Sequence, residues 1–281
     1  MPLRALNPVD TRSMFRPVSA ALVTVLRALS SDDWERPTVA GTWVVRDIVA
    51  HLLDITLRRL SFHRDRMPPP PPDMTIASER DFVDFINGLN AAWVRSAKRM
   101  SPRVLTDLYE RAAGEHAAWF ESLPLEAPAL FPVSWAGETH SEGWFDIGRE
   151  FVELWHHQQQ IRMAVGAEPL SDGRYLRAAL DVSIRGLPHA FRDAAAAPGD
   201  TVLVDVAGSS GGQWTLTRET DRWSLSAGEA ASATTRVRLD DDAAWKLLCN
   251  ALPPAEATRV IHVEGLTELA APLFRARSVI V

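Results

Sequence analysis

The chain has 281 residues, 46% of them hydrophobic and 23% charged, which suits a soluble globular protein and is long enough to expect two domains. Its net charge is −6 with acidic and basic residues interspersed, so no basic stripe stands ready to neutralise phosphates and nucleic-acid binding is not expected. Cys249 is the one cysteine, which excludes an internal disulfide and a cysteine-rich zinc site; in "DDAAWKLLCN" it reads as a small buried hydrophobe.

The opening "MPLRALNPVDTRSMF" lacks the apolar core of a signal peptide, and no window approaches the roughly 20 apolar residues of a membrane span. A cytoplasmic protein with no membrane partner is expected. Met14, Val18, Leu22, Val25, Leu26 and Leu29 recur at helical period and predict a helix over 11–29, kinked or shifted by Pro17. A second helix is expected over 44–66, with Val44, Ile48, His51 and Ile55 on one stripe. "MPPPPPD" (67–73) cannot be helical and predicts an extended connector. A third helix is expected over 78–100. Ser101 and Pro102 then read as N-cap and first helical residue of a fourth, reaching 122.

After a loop rich in proline, tryptophan and glycine, the run "GREFVELWHHQQQIRMAVG" predicts a helix over 144–165, closed by Gly166 and Pro169. One further helix is expected over 174–195, ending in "AAAAPGD". Beyond Gly199 the period changes to strict alternation at Val202, Val204 and Val206. "GQWTLTRETDRWSLSAG" reads as a hairpin around "ETD", and "TTRVRLD" and "TRVIHVEG" as further strands. The last helical pattern, "TELAAPLFRAR", is interrupted by Pro272. The expected organisation is a helical domain over 1–197 and a small α+β domain over 198–281.

Glu153 and His157 are four apart on one predicted helix, so their side chains share a face and can converge on one ion. A carboxylate and a neutral imidazole are sound ligands for a borderline divalent cation such as zinc. The third ligand must come from another helix, and His51, in an otherwise apolar stripe, is the candidate. Three protein ligands and a vacancy are the layout of a catalytic zinc site. The spacing alone leaves alternatives open. A histidine on an apolar face is more often a core residue hydrogen-bonded to its surroundings, and Glu153 with His157 equally suits a polar stripe shared with Glu150 and Gln160. His156 is also within a turn of Glu153. Phe151, Val152 and Trp155 favour burial of a different side. His63, His116, His140, His189 and His262 show no partner spacing, and the tryptophans at 43, 93, 135, 144 and 155 read as core and loop anchors.

Four segments, "GTWVVRDIVAHLLD", "NGLNAAWV", "FPVSWAGE" and "REFVELWHHQQQIRMAVG", occur in an order that resembles the DinB-like, mycothiol-dependent maleylpyruvate isomerase family over most of residues 10–195. That resemblance implies an α plus α+β protein: a DinB-like four-helix bundle followed by a small sterol-carrier-protein-like domain, the latter matched through "IHVEGLTELAAPLF". It implies a mononuclear zinc on His51, Glu153 and His157, with His157 rather than His156 as the last ligand. Gln160 departs from the acidic residue that many relatives carry, which bears on the groups that orient the ligands.

The implied activity is that of a metal-dependent thiol S-transferase or isomerase. A low-molecular-weight thiol, mycothiol or an analogue, binds the metal as thiolate and attacks an electrophilic small molecule. A carboxylate-bearing substrate needs cationic groups, for which Arg46 and Arg162 are candidates. Arg222, Arg236 and Arg238 of the second domain are weaker ones. No residue is assigned firmly to catalysis. The rival readings are a ligand-binding protein of the same fold without catalysis, and a metal-dependent hydrolase in which the metal carries hydroxide and Glu150 serves as general base.

Overall fold

Helix α1 (Phe15–Ala28) begins two residues ahead of Pro17, so the ring falls in the first turn, where a missing N–H leaves no hydrogen bond broken. The structure is a computed structural model that describes residues 3–129, 131–170 and 172–279. Helix α2 (Val45–Arg58) buries almost every residue from Val45 to Asp54, and the chain then continues as a π-helical turn over Arg59–Arg64. The expected helix to residue 66 therefore changes its winding near its end. Residues 67–72 form neither helix nor strand, as five consecutive prolines require.

Helices α3 (Glu79–Ala97) and α4 (Pro102–Glu121) start where the sequence signals them. The Ser78 hydroxyl accepts from the Asp81 N–H at 3.1 Å, and the Ser101 hydroxyl from Val104 at 3.3 Å with Pro102 opening the helix. Helix α5 (Gly143–Val165) stops at Gly166, whose φ of 67° is the left-handed conformation of a helix C-terminus.

By its packing the chain forms two compact units that interleave along the sequence. One holds residues 10–129 with 153–170, and the other holds 3–9, 131–152 and 172–279. In the first, α1 and α2 pack on α4, and α3 packs on α2. Phe15, Leu22, Ile48, Leu52, Leu105, Tyr109 and Trp155 build its core, each nearly free of solvent contact. The Gln158 amide donates to the Val18 carbonyl at 2.8 Å and ties the second half of α5 to α1.

The other unit holds, among its described residues, a five-stranded sheet in the order β3-β2-β1-β4-β5. Its strands are β1 (Thr201–Ala207), β2 (Gly212–Arg218), β3 (Trp223–Ala227), β4 (Thr235–Asp240) and β5 (His262–Gly265). β1 and β4 are parallel, and all other pairs are antiparallel. Val202, Val204, Val206, Trp214, Leu216, Val237 and Leu239 share one buried face. The segments α6 (Gly173–Ser183), α7 (Leu187–Ala190), α8 (Asp241–Leu248), α9 (Pro254–Val260) and α10 (Ala271–Arg275) complete the unit.

Two expectations are corrected. The single helix over 174–195 is broken into α6, a 3₁₀ turn at Ile184–Gly186 and α7, because Gly186 and Pro188 fall where the helix would continue. The last helix is likewise a 3₁₀ turn at Thr267–Ala270 followed by α10, with Pro272 in the first turn of α10. Cys249 is buried at the end of α8, as the sequence reading expects. Among the described residues no helix is long and apolar enough to cross a membrane. The chain is thus a helical N-terminal region followed by a C-terminal α+β part.

Candidate metal centre

Between Phe151 and Ile161 on α5 every residue is buried except Glu153. The one carboxylate with partial solvent access therefore sits in a wall of otherwise enclosed side chains. One turn on, His157 is 7% exposed, and from α2 His51, also 7% exposed, reaches the same point. Nε2 of His157 lies 3.4 Å and Nε2 of His51 3.8 Å from Oε2 of Glu153. One donor atom from each of the three residues lies within 4.8 Å of the other two, and no other such group of three is found among the described residues. The two imidazole rings stand edge to face, with centroids 5.0 Å apart.

These spacings suit one small cation. Metal–ligand bonds of about 2.0–2.1 Å in a tetrahedron put neighbouring donor atoms roughly 3.3 Å apart. The donor set fits too, since two imidazole nitrogens and one carboxylate oxygen leave a fourth position open. Nδ1 of His157 lies 2.7 Å from Oε1 of Gln160; with its proton there, it donates to the amide oxygen and leaves the Nε2 lone pair facing Glu153.

Burial lowers the His51 pKa and favours its neutral, ligating form, the facing Glu153 only partly opposing that effect. Burial by itself would raise the Glu153 carboxyl. In the metal-free protein, with a proton on the nitrogens that face it, hydrogen bonding from His157 and His51 outweighs that and holds the carboxyl well below the usual range. Around these groups Trp43 supplies an aromatic wall, its ring centroid 5.0 Å from that of His51 and 6.2 Å from that of His157.

Other expected residues are differently engaged. His156 is buried with its ring centroid 4.0 Å from that of His157, outside the group of three donors. Glu150 lies 3.7 Å from the Arg149 guanidinium. Arg46 donates to the Met100 carbonyl at 2.6 Å and to Glu35 at 3.3 Å. Arg162 spends its donors on the Gln158 side chain and on the carbonyls of Glu168 and Ala21, and burial lowers its pKa. Arg236 and Arg238 pair with Asp205, and also with Glu229 and Glu264 respectively. Trp43 is the neighbour that sequence reasoning missed, because an aromatic residue just before a helix reads as a packing anchor.

Residues 15–162, from the first residue of α1 to Arg162 of α5, match the profile of the mycothiol maleylpyruvate isomerase N-terminal domain. The chain belongs to the mycothiol maleylpyruvate isomerase family. The matched stretch includes Trp43, His51, Glu153 and His157. Among solved structures, the crystal structure of the mycothiol-dependent maleylpyruvate isomerase is similar with a TM-score of 0.55 at 11% identity, covering 92% of this chain and 93% of that one. A histidine-to-alanine mutant of that enzyme is similar with a TM-score of 0.54 at 11% identity, covering 90% and 91%. These likenesses extend the shared fold of the family beyond the matched stretch, into the α+β part. No curated protein matches the chain by sequence.

Proposed function

We propose that the chain is a thiol-dependent isomerase or S-transferase whose centre is a divalent metal, zinc by its donor set, held by His51, Glu153 and His157. The observation that carries the proposal is the convergence of three donor atoms from two helices within 4.8 Å. The co-substrate is mycothiol or a related low-molecular-weight thiol, in line with the solved enzyme that the chain resembles in fold. The substrate is a small electrophile bearing a carboxylate. Addition of sulfur to its carbon–carbon double bond leaves a single bond that rotates, and loss of the sulfur returns the isomer and the thiol. A transferase stops after the addition.

A divalent ion so held lowers the pKa of a thiol at its open position, so that the sulfur is anionic at neutral pH. The protein's own groups prepare the site for this. Burial keeps His51 neutral with its lone pair free. Gln160 accepts from Nδ1 of His157 and fixes which nitrogen faces the ion. Glu153 supplies the one negative charge, leaving a doubly charged cation with a net positive charge for an anionic sulfur. Its side chain, 20% exposed against 8% for His51 and 9% for His157, marks the side from which small molecules reach the centre.

Arg46 and Arg162 stay candidates for the substrate carboxylate, at the cost of the main-chain carbonyls they already serve. We further take the helical region to be a DinB-like four-helix bundle and the α+β part a sterol-carrier-protein-like domain. We also take 197/198, in the stretch between α7 and β1, as the boundary along the chain, on the change from helix to strand there.

The test is metal analysis of protein purified without added zinc, followed by titration of the cobalt-substituted form with mycothiol. We expect about one equivalent of divalent metal, its loss in His51→Ala, and sulfur-to-cobalt charge-transfer absorption on adding thiol. Protein devoid of divalent metal, or His51→Ala retaining it fully, would overturn the proposal. Metal without thiol-dependent turnover would favour a binding protein, and ester hydrolysis without thiol a hydrolase.

A further inference from the structure

His51 and His157 face the same carboxylate but are fixed in different ways. Nδ1 of His157 is held by Gln160. Nδ1 of His51 is closed off from solvent and has no hydrogen-bond partner among the described residues. A ligating imidazole ordinarily uses its second nitrogen to set its ring rotation and tautomer. His51 lacks that device.

What His51 has instead is Trp43. The indole lies tilted by 50° against the His51 ring at 5.0 Å, and more nearly parallel, at 30°, to the His157 ring at 6.2 Å. One side chain thus packs on two ligands that come from different helices. Its backbone is held firmly. The Trp43 carbonyl accepts from the Thr38 N–H at 3.0 Å and from the Thr38 hydroxyl at 2.7 Å, and its N–H donates to Ala40 at 3.1 Å. The turn is closed by Gly41 at a φ of 62° and by the bridge between Pro37 and Val44. The indole itself is only half-buried, unlike the core tryptophans Trp34 and Trp155.

We propose that Trp43 is a positioning residue of the metal centre, its indole wedged against both imidazoles and setting the ring orientation of His51 in place of the missing hydrogen bond. The proposal rests on the reading that His51, Glu153 and His157 hold a divalent ion. Removing the indole frees His51 to rotate before the ion arrives, so affinity falls. A phenyl ring keeps most of the packing and most of the affinity.

The test compares wild type, Trp43→Ala, Trp43→Phe and His51→Ala, each stripped of metal and titrated with Co²⁺ against a competing chelator. We expect Trp43→Ala to bind about 10- to 100-fold more weakly with an altered ligand-field spectrum, and Trp43→Phe to stay close to wild type. Co²⁺ should quench tryptophan emission in wild type and quench it less in Trp43→Phe, because the nearest indole is gone. If Trp43→Ala fails to fold, this second readout still tests the premise, because equal quenching would put the ion away from the indole. A merely structural tryptophan would lower the melting temperature of the metal-free protein and leave the cobalt affinity and spectrum unchanged. Wild type that binds no Co²⁺ overturns the metal reading and this inference together. Wild type that binds it through His51, with Trp43→Ala equal to it in affinity and spectrum, or with Trp43→Phe equally quenched, overturns only the role of Trp43.

Discussion

Burial of His51 and the imidazoles facing Glu153 set how the two groups answer to acid, and both push stability in the same direction. His51 is held below its usual value of about 6.5, so in that range the unfolded chain takes up a proton that the folded chain refuses. Stability is therefore lost as the pH falls below about 6.5 towards the lower folded value. Glu153, held well below the carboxylate range, contributes stability above about pH 4.3 that is lost as the pH falls further. Metal-free protein should melt at lower temperature as the pH drops from about 7 to about 5, with a shallower slope in His51→Gln. Equal slopes in the two proteins, measured by thermal melts, would contradict this origin. The pair Glu153 and His157 was legible in the sequence because four residues along a helix return to one face. His51 was only a lone histidine in an apolar stripe, and what it faces depends on how α2 packs. Trp43 left no polar signal at all.

At the scale of elements, the sequence showed helix starts better than helix faces. Ser78, Ser101 and Pro102 act locally, and α3 and α4 begin beside them. The face of α5 could not be read, because Phe151, Val152, Trp155, His156, Gln158 and Ile161 are all buried and a helix enclosed on every side has no polar stripe. The break between α6 and α7 had a local signal in Gly186 and Pro188 that the residues around it obscured. Alanine and leucine around it favour helix, but a Cβ on Gly186 would stand 3.0 Å from the Trp135 ring, a contact made by a distant part of the chain. Gly186→Ala should cost about 1–3 kcal/mol in urea denaturation, as overpacking does, and a change indistinguishable from zero would show that the ring gives way freely.

Across the whole molecule, the change from helical period to alternation near residue 199 was plain in the sequence, and β1 begins at Thr201. The grouping of residues 131–152 with the sheet strands was not, since packing units that interleave along the chain leave no mark in local periodicity. Four short segments in order pointed to the family, and the match over residues 15–162 bears that out. The metal rests on geometry alone, and it is best tested by anomalous scattering at the zinc edge from crystals of protein purified without added metal. One peak lying within bonding distance of Nε2 of His51, Oε2 of Glu153 and Nε2 of His157 is the expected result. An absence of any peak there, with His51 turned away from the other two side chains, would contradict it.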